Sequence, residues 1–159
     1  MNKSLILSLL TGALLLAGCG QKSESAAAPA AAPSGSIELT ANDTMKYNIT
    51  RIEVKAGQDV TLSLTNMGTV PKAAMAHNWV LLQKGSDPKA FADAAVLAAA
   101  SEYIPAQLAG QIIAHTKLLG PKQNDEIKFK APTEPGEYPF LCSFPAHFLS
   151  GMTGVLVVK

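Results

Sequence analysis

The chain closes on 141-LCSFPAHFLSGMTGVLVVK-159, in which Cys142, His147 and Met152 stand at even intervals ahead of an apolar run. Four residues separate the thiol from the imidazole, and four more separate the imidazole from the thioether. That spacing suits one loop between two strands, "GEYPFLCS" before it and "TGVLVVK" after it, turning three side chains toward a common point. Taken singly, Cys142 fits a small buried hydrophobe, Met152 a core filler and His147 a surface imidazole.

Outward from this loop the same short, alternating segments recur. In "DVTLSLTN", Val60, Leu62 and Leu64 face one way and Thr61, Ser63 and Thr65 the other, which predicts a strand with one buried face. "SIELTA", "YNITRIEVKAG", "HNWVLL" and "EIKFKAP" complete a set of seven predicted strands, punctuated by Gly57, Asn66, Gly68, Pro132, Pro135 and Gly136. The exception is "SDPKAFADAAVLAAASEY", with Ser86 or Asp87 as cap, Pro88 in the first turn and seven alanines, which predicts one helix, with a further turn at "PAQLAG". Seven strands and one inserted helix imply an all-β, two-sheet antiparallel sandwich over residues 36–159.

The other cysteine, Cys19, follows "MNKSLILSLLTGALLLAG", a charged start and a short apolar run of the kind that directs export, below the ~20 residues of a membrane-spanning helix. "LAGC" at Leu16–Cys19 resembles the bacterial lipobox. That resemblance implies cleavage after residue 18, a lipid on Cys19 and anchorage to a bacterial membrane from its extracytoplasmic or periplasmic side. Residues 19–35, "CGQKSESAAAPAAAPSG", have no apolar period and read as a tether, reaching about 60 Å if fully extended. A lipidated Cys19 leaves Cys142 without a disulfide partner, and an exported lone thiol favours a bound metal over an idle sulfur. The formal net charge is only +1 and includes Lys3 of the leader, and no basic run interleaves with aromatics. Nucleic acid therefore has no electrostatic foothold as a partner.

His77, in "MAHNWVL", is the plausible fourth member of the closing set and is read as the start of a strand. Two imidazoles, one thiolate and one weak thioether are the donor set of blue electron-transfer copper sites. Zinc fits less well, because methionine is not a usual zinc ligand. A catalytic Cys–His pair lacks a visible orienting group or oxyanion device. His115, in "IIAHTKLLG", lies outside the set as a surface or hydrogen-bonded histidine, and Trp79 reads as core, alternating with His77.

From Ile37 to Lys159 the chain resembles a cupredoxin of the azurin and auracyanin group, through "VPKAAMAHNWVL", "IIAHTKLLGPKQNDEIKF" and "YPFLCSFPAHFLSGMTGVLVVK". The resemblance implies a Greek-key sandwich, one copper ion held by His77, Cys142, His147 and Met152, and a carrier of single electrons rather than an enzyme. It also implies that the N–H groups of Asn78 and Phe144 approach the Cys142 sulfur, and that Pro145 withholds a further hydrogen bond. The Asn78 side chain is expected to reach Ser143. Met75, Ala76, Phe144, Pro145, Phe148 and Leu149 are expected to form an apolar collar around His147 for docking redox partners, such as cytochromes or membrane respiratory or photosynthetic complexes.

Three departures from azurins stand out. The interval between His147 and Met152 is one residue longer than azurins usually have and closer to auracyanins. Ala76 replaces the glycine whose carbonyl lies near copper in azurins, and the cysteines of the azurin disulfide are missing. Two rival functions follow from the same residues: an enzymatic copper domain, which needs a second copper centre, and copper delivery or sequestration, which needs exposed Met and His tracts that scattered Met45 and Met67 do not supply.

Overall fold

The computed structural model describes residues 35–159; the leader, Cys19 and all but the last residue of the tether lie outside them. Eight strands form: β1 (Ser36–Ala41), β2 (Arg51–Val54), β3 (Asp59–Asn66), β4 (Val80–Leu82), β5 (Ile112–His115), β6 (Asn124–Lys130), β7 (Gly136–Leu141) and β8 (Thr153–Val158). They build a three-stranded sheet, β1-β3-β6, and a five-stranded sheet, β2-β8-β7-β4-β5. Both sheets are mixed, because β1 pairs parallel with β3 and β2 parallel with β8. The expectation of a purely antiparallel sandwich is corrected here. Between β1 and β3 the chain crosses to the other sheet to lay down β2, and a strand that returns after such an excursion can run in its original direction.

The two sheets close over a core in which Ile37 and Leu39 of β1 and Val60, Leu62 and Leu64 of β3 meet Ile52, Trp79, Phe140 and Leu156 of the larger sheet. A second, smaller cluster of Val80, Leu82, Leu141 and Phe91 lies where helix α1 (Pro88–Ala95) covers the other face of β4 and β7. Burial on both faces explains why β4 is apolar at every position instead of alternating. Gly154 in β8 has a steric reason: a Cβ there would stand 2.3 Å from Phe140 Cζ and from the Thr50 carbonyl oxygen.

Helix α1 begins as the sequence predicts, with the Asp87 carboxylate accepting from the N–H groups of Lys89 and Ala90. It ends at Ala95, well before Tyr103, and continues only as 3₁₀ turns at Ala99–Ser101 and Ala106–Gln111. Only Phe91 and Ala95 of the helix are buried, whereas Val96 and Leu97 are exposed. Alanine propensity alone does not extend a helix that has nothing further to pack against.

Candidate metal centre

The antiparallel order β8-β7-β4 brings the end of β7 beside the starts of β4 and β8. Cys142 follows β7, Met152 precedes β8, and His77 lies three residues before β4, so all three lie at the same end of the sheet's three inner strands. His77 is not itself in a strand. It makes an isolated bridge with Leu119, donating its N–H to the Leu119 carbonyl at 3.0 Å and accepting the Leu119 N–H at 2.8 Å. Trp79 donates its N–H to Thr116 Oγ1 and accepts the Thr116 N–H, which fixes the next turn of this segment.

The loop from Cys142 to Met152 is stitched by its own backbone. His147 donates to the Phe144 carbonyl, Met152 to the His147 carbonyl and Cys142 to the Met152 carbonyl. Ala146 takes a φ of +68° to make this turn, a conformation unusual for a residue with a Cβ. The loop closes on itself, and its ends adjoin the last pair of the β7–β8 ladder, Leu141 and Thr153.

One donor atom from each of His77, Cys142 and His147 lies within 4.8 Å of the others, and all three residues are buried. Cys142 Sγ is 3.4 Å from His147 Nδ1, and the two imidazole rings are 4.8 Å apart between centroids. Met152 is completely buried at the end of the same loop. Neither ring nitrogen of His77 has a hydrogen-bond partner among the described residues. A buried imidazole without a partner is costly unless a ligand completes it. One of the two ring nitrogens therefore fits a metal ion, and the one thiol and the thioether make a soft cation such as copper the better match.

The electrostatics point the same way. Burial holds both imidazoles neutral, depressing His77 below its ordinary range despite the opposing charge of Asp43 and a backbone contact from Asn42, and pulling His147 down to about 4 with a further contribution from His77. Burial pushes the Cys142 thiol up to about 12, against the backbone N–H groups of Asn78 and Phe144, which donate toward its sulfur. Neutral imidazoles are ready to ligate. The thiol, by contrast, would have to release its proton to solvent for its sulfur to bind a metal.

Asn78 ties the two ligand-bearing segments together. Its Oδ1 accepts the Ser143 N–H at 2.9 Å, and its Nδ2 donates to Ser143 Oγ at 2.8 Å. Phe144 is buried, its ring between those of Tyr103 and His147, at 5.0 and 4.8 Å. Around this edge Leu149 is 72% exposed, while Met75, Pro145 and Phe148 are partly exposed. Ala76 is wholly buried, so it does not belong to an exposed collar. His115 sits on edge strand β5, exposed, with Nδ1 3.0 Å from the Thr116 carbonyl oxygen, outside the cluster.

Sequence reasoning passed over Tyr47, whose buried hydroxyl donates to the Asn78 carbonyl at 2.5 Å. The available signal was an aromatic residue in the otherwise polar stretch "NDTMKYN".

A β sandwich that gathers two neutral imidazoles and a thiol at one end of its inner strands, with a buried thioether on the same loop, has the architecture and the donor types of a cupredoxin. Residues 34–159 match the family described as copper binding proteins, plastocyanin/azurin family. The azurin of Pseudomonas aeruginosa is 32% identical over 97% of this chain and 94% of its own length. The outer membrane protein H.8 of Neisseria meningitidis is 37% identical over 69% of this chain and 60% of its own. Among solved structures, the dithionite-reduced auracyanin of the photosynthetic bacterium Roseiflexus castenholzii superposes with a TM-score of 0.71 at 34% identity, covering 82% of this chain and 99% of that one. Auracyanin A of Chloroflexus aurantiacus gives 0.69 at 33%, covering 80% and 100%. The chain belongs to the plastocyanin/azurin family of copper-binding proteins, and its cofactor is one copper ion.

Proposed function

We propose that this protein is a lipid-anchored carrier of single electrons, in which His77, Cys142, His147 and Met152 hold the copper. The observation that carries this reading is the buried convergence of one donor atom each from His77, Cys142 and His147 within 4.8 Å of one another. Bound copper supplies a one-electron couple between Cu+ and Cu2+. The chain's part is to keep the donors still: His77 by its bridge to Leu119, Cys142 and Met152 by the hydrogen bond that joins them just beyond the β7–β8 ladder, and Asn78 by linking the segments through Ser143. Donors fixed in this way present similar surroundings to both oxidation states. Copper delivery is the weaker reading, since ligands that must exchange metal quickly are poorly served by complete burial.

The Asn78 and Phe144 N–H groups that donate to the sulfur temper its basicity, and Pro145 has no N–H to add a third. Met75, Pro145, Phe148 and Leu149 form the docking rim, with Phe144 beneath it and Ala76 supporting the site from inside. An apolar rim permits brief docking to redox proteins, cytochromes or membrane complexes among them, without strong charge pairing to slow release. Leu149→Glu is expected to slow electron exchange with such a partner about tenfold or more at an unchanged copper spectrum, because a charge placed in an apolar contact must be desolvated; an unchanged rate would remove the rim from the docking site.

The leader and lipobox support export and anchorage through Cys19, with residues 19–35 as the tether. The relative named an outer membrane protein is in keeping with an envelope location. Titration of the copper-free chain with Cu(II) tests the central reading. One ion per chain and an intense visible thiolate-to-copper band are expected. Fast loss of copper to a mild chelator without that band would favour delivery or sequestration instead.

A further inference from the structure

One short segment outside the ligand-bearing elements reaches both of them. Between β1 and β2 the chain turns at Met45, whose φ of +55° is in the left-handed region. Tyr47 is fastened to the end of β1 by an isolated bridge to Ala41, and its ring sits edge-on to Phe140 at 5.8 Å. From there its hydroxyl donates to the Asn78 carbonyl. Its neighbour Lys46 donates Nζ to the carbonyl of Ser150, in the loop between His147 and Met152. The adjacent Gly151 leaves room for this contact, since a Cβ there would stand 2.7 Å from the ammonium nitrogen.

We propose that Lys46 and Tyr47 form a strap that sets the geometry of the metal centre, Tyr47 fixing the His77–Asn78 segment and Lys46 fixing the His147–Met152 loop against it. Both are positioning residues, and the inference rests on the copper reading given above. Asn78 is where the surroundings of the sulfur are decided, through its N–H toward Sγ and its side chain on Ser143. It lies outside β4, so its buried carbonyl depends on Tyr47 for a donor. Without that donor the peptide beyond Asn78 is freer to turn, and the clamp on Ser143 turns with it.

The loop has a parallel problem. Its internal bonds, Ser150 to Ala146, Gly151 to Phe148 and Met152 to His147, fix its shape. They do not fix the position of its outer turn relative to the β1–β2 connection. Lys46 supplies that tie. Because the strap begins at β1, it also links the three-stranded sheet to a centre built on the five-stranded one.

The test uses the full chain and the variants Tyr47→Phe, Lys46→Met and Lys46→Arg. Tyr47→Phe keeps the ring that packs on Phe140, so the fold is retained. Amide hydrogen exchange of the copper-free protein and the rate of copper loss to a chelator are both measured. Tyr47→Phe is expected to speed exchange at Asn78 and Ser143, and copper loss, by about tenfold, the usual scale for one lost buried hydrogen bond. Lys46→Met removes an exposed hydrogen bond and should speed exchange in residues 147–152, and copper loss, by about two- to threefold, and Lys46→Arg should restore near wild-type behaviour. Protection in β3 and β6 should not change. Wild-type exchange and wild-type copper loss in both Tyr47→Phe and Lys46→Met would overturn the strap, as would a uniform rise in exchange across all strands. A wild-type chain without a thiolate-to-copper band would refute the ligand assignment alone, and amide exchange in the copper-free protein would still decide the strap.

Discussion

Cys142→Ser is expected to give a folded protein that no longer shows the intense visible band with Cu(II) and no longer exchanges electrons at a measurable rate. Cys142 is fully buried, so a hydroxyl in its place needs hydrogen bonds. Those are at hand: His147 Nδ1 lies 3.4 Å from the present sulfur, and the N–H groups of Asn78 and Phe144 point toward it. The copper-free variant should therefore lose no more than about 1.5 kcal/mol of stability, the scale of one net hydrogen bond. Copper binding should suffer far more. A neutral hydroxyl is a hard, weak donor where the site offers a thiolate. Changes to groups that merely support a ligand already cost about 10- to 100-fold in affinity, and loss of the ligand itself should exceed that. Calorimetric titration with Cu(II) and the visible spectrum check the expectation. A retained intense band in the variant would take Cys142 out of the ligand set.

The variant also bears on why this site could be read so far in advance. Cys142, His147 and Met152 lie within one contiguous loop, and its flanks alternate cleanly, so spacing and residue type together point to a common centre, and Cys142 and His147 do meet there. His77 came from scarcity, as one of three histidines. What the alternation could not supply was the identity of each strand's neighbours. Val60, Leu62 and Leu64 show which face of β3 is buried, but the same faces result whether β1 runs with it or against it. Strand β5 escaped notice because Ile112–His115 is a short edge segment with no alternation in its burial. Alanine content alone predicts too long a helix, because Val96 and Leu97 are exposed with nothing to pack on. Tyr47 was passed over because its importance is a single hydrogen bond to a carbonyl 31 positions away, which leaves no periodic trace. The resemblance implies an exposed Ala76, whereas the residue directly precedes His77, whose bridge to Leu119 holds this segment against the fold and buries it.

The copper-free and copper-loaded proteins are expected to respond to pH with different signs around the thiol. In the copper-free fold, His147 stays neutral down to about 4, whereas the unfolded imidazole takes a proton near its ordinary 6.5. Between those values the unfolded chain binds more protons, so stability is complete above about pH 6.5 and falls as the pH drops toward 4. The shift corresponds to a loss on the order of 3 kcal/mol, and His77, depressed mainly by burial, adds to it in the same direction. On the alkaline side the folded thiol keeps its proton up to about 12 while the unfolded thiol ionises near 9.0, so copper-free stability is complete below 9 and falls as the pH rises beyond it. Copper binding to Cys142 as a thiolate removes that proton from the folded state. Below pH 9 the unfolded thiol then holds a proton that the loaded fold does not, and stability should rise with pH at about 1.4 kcal/mol per unit, the slope for one proton. Denaturant titrations between pH 4.5 and 8.5 separate the two forms: a plateau from 6.5 upward without copper, and a continuing rise with it. A copper-free profile that stays flat from 6.5 to 4.5 would mean that the imidazoles are not held neutral by burial, and a loaded profile without the one-proton slope would mean that the thiol keeps its proton when copper binds.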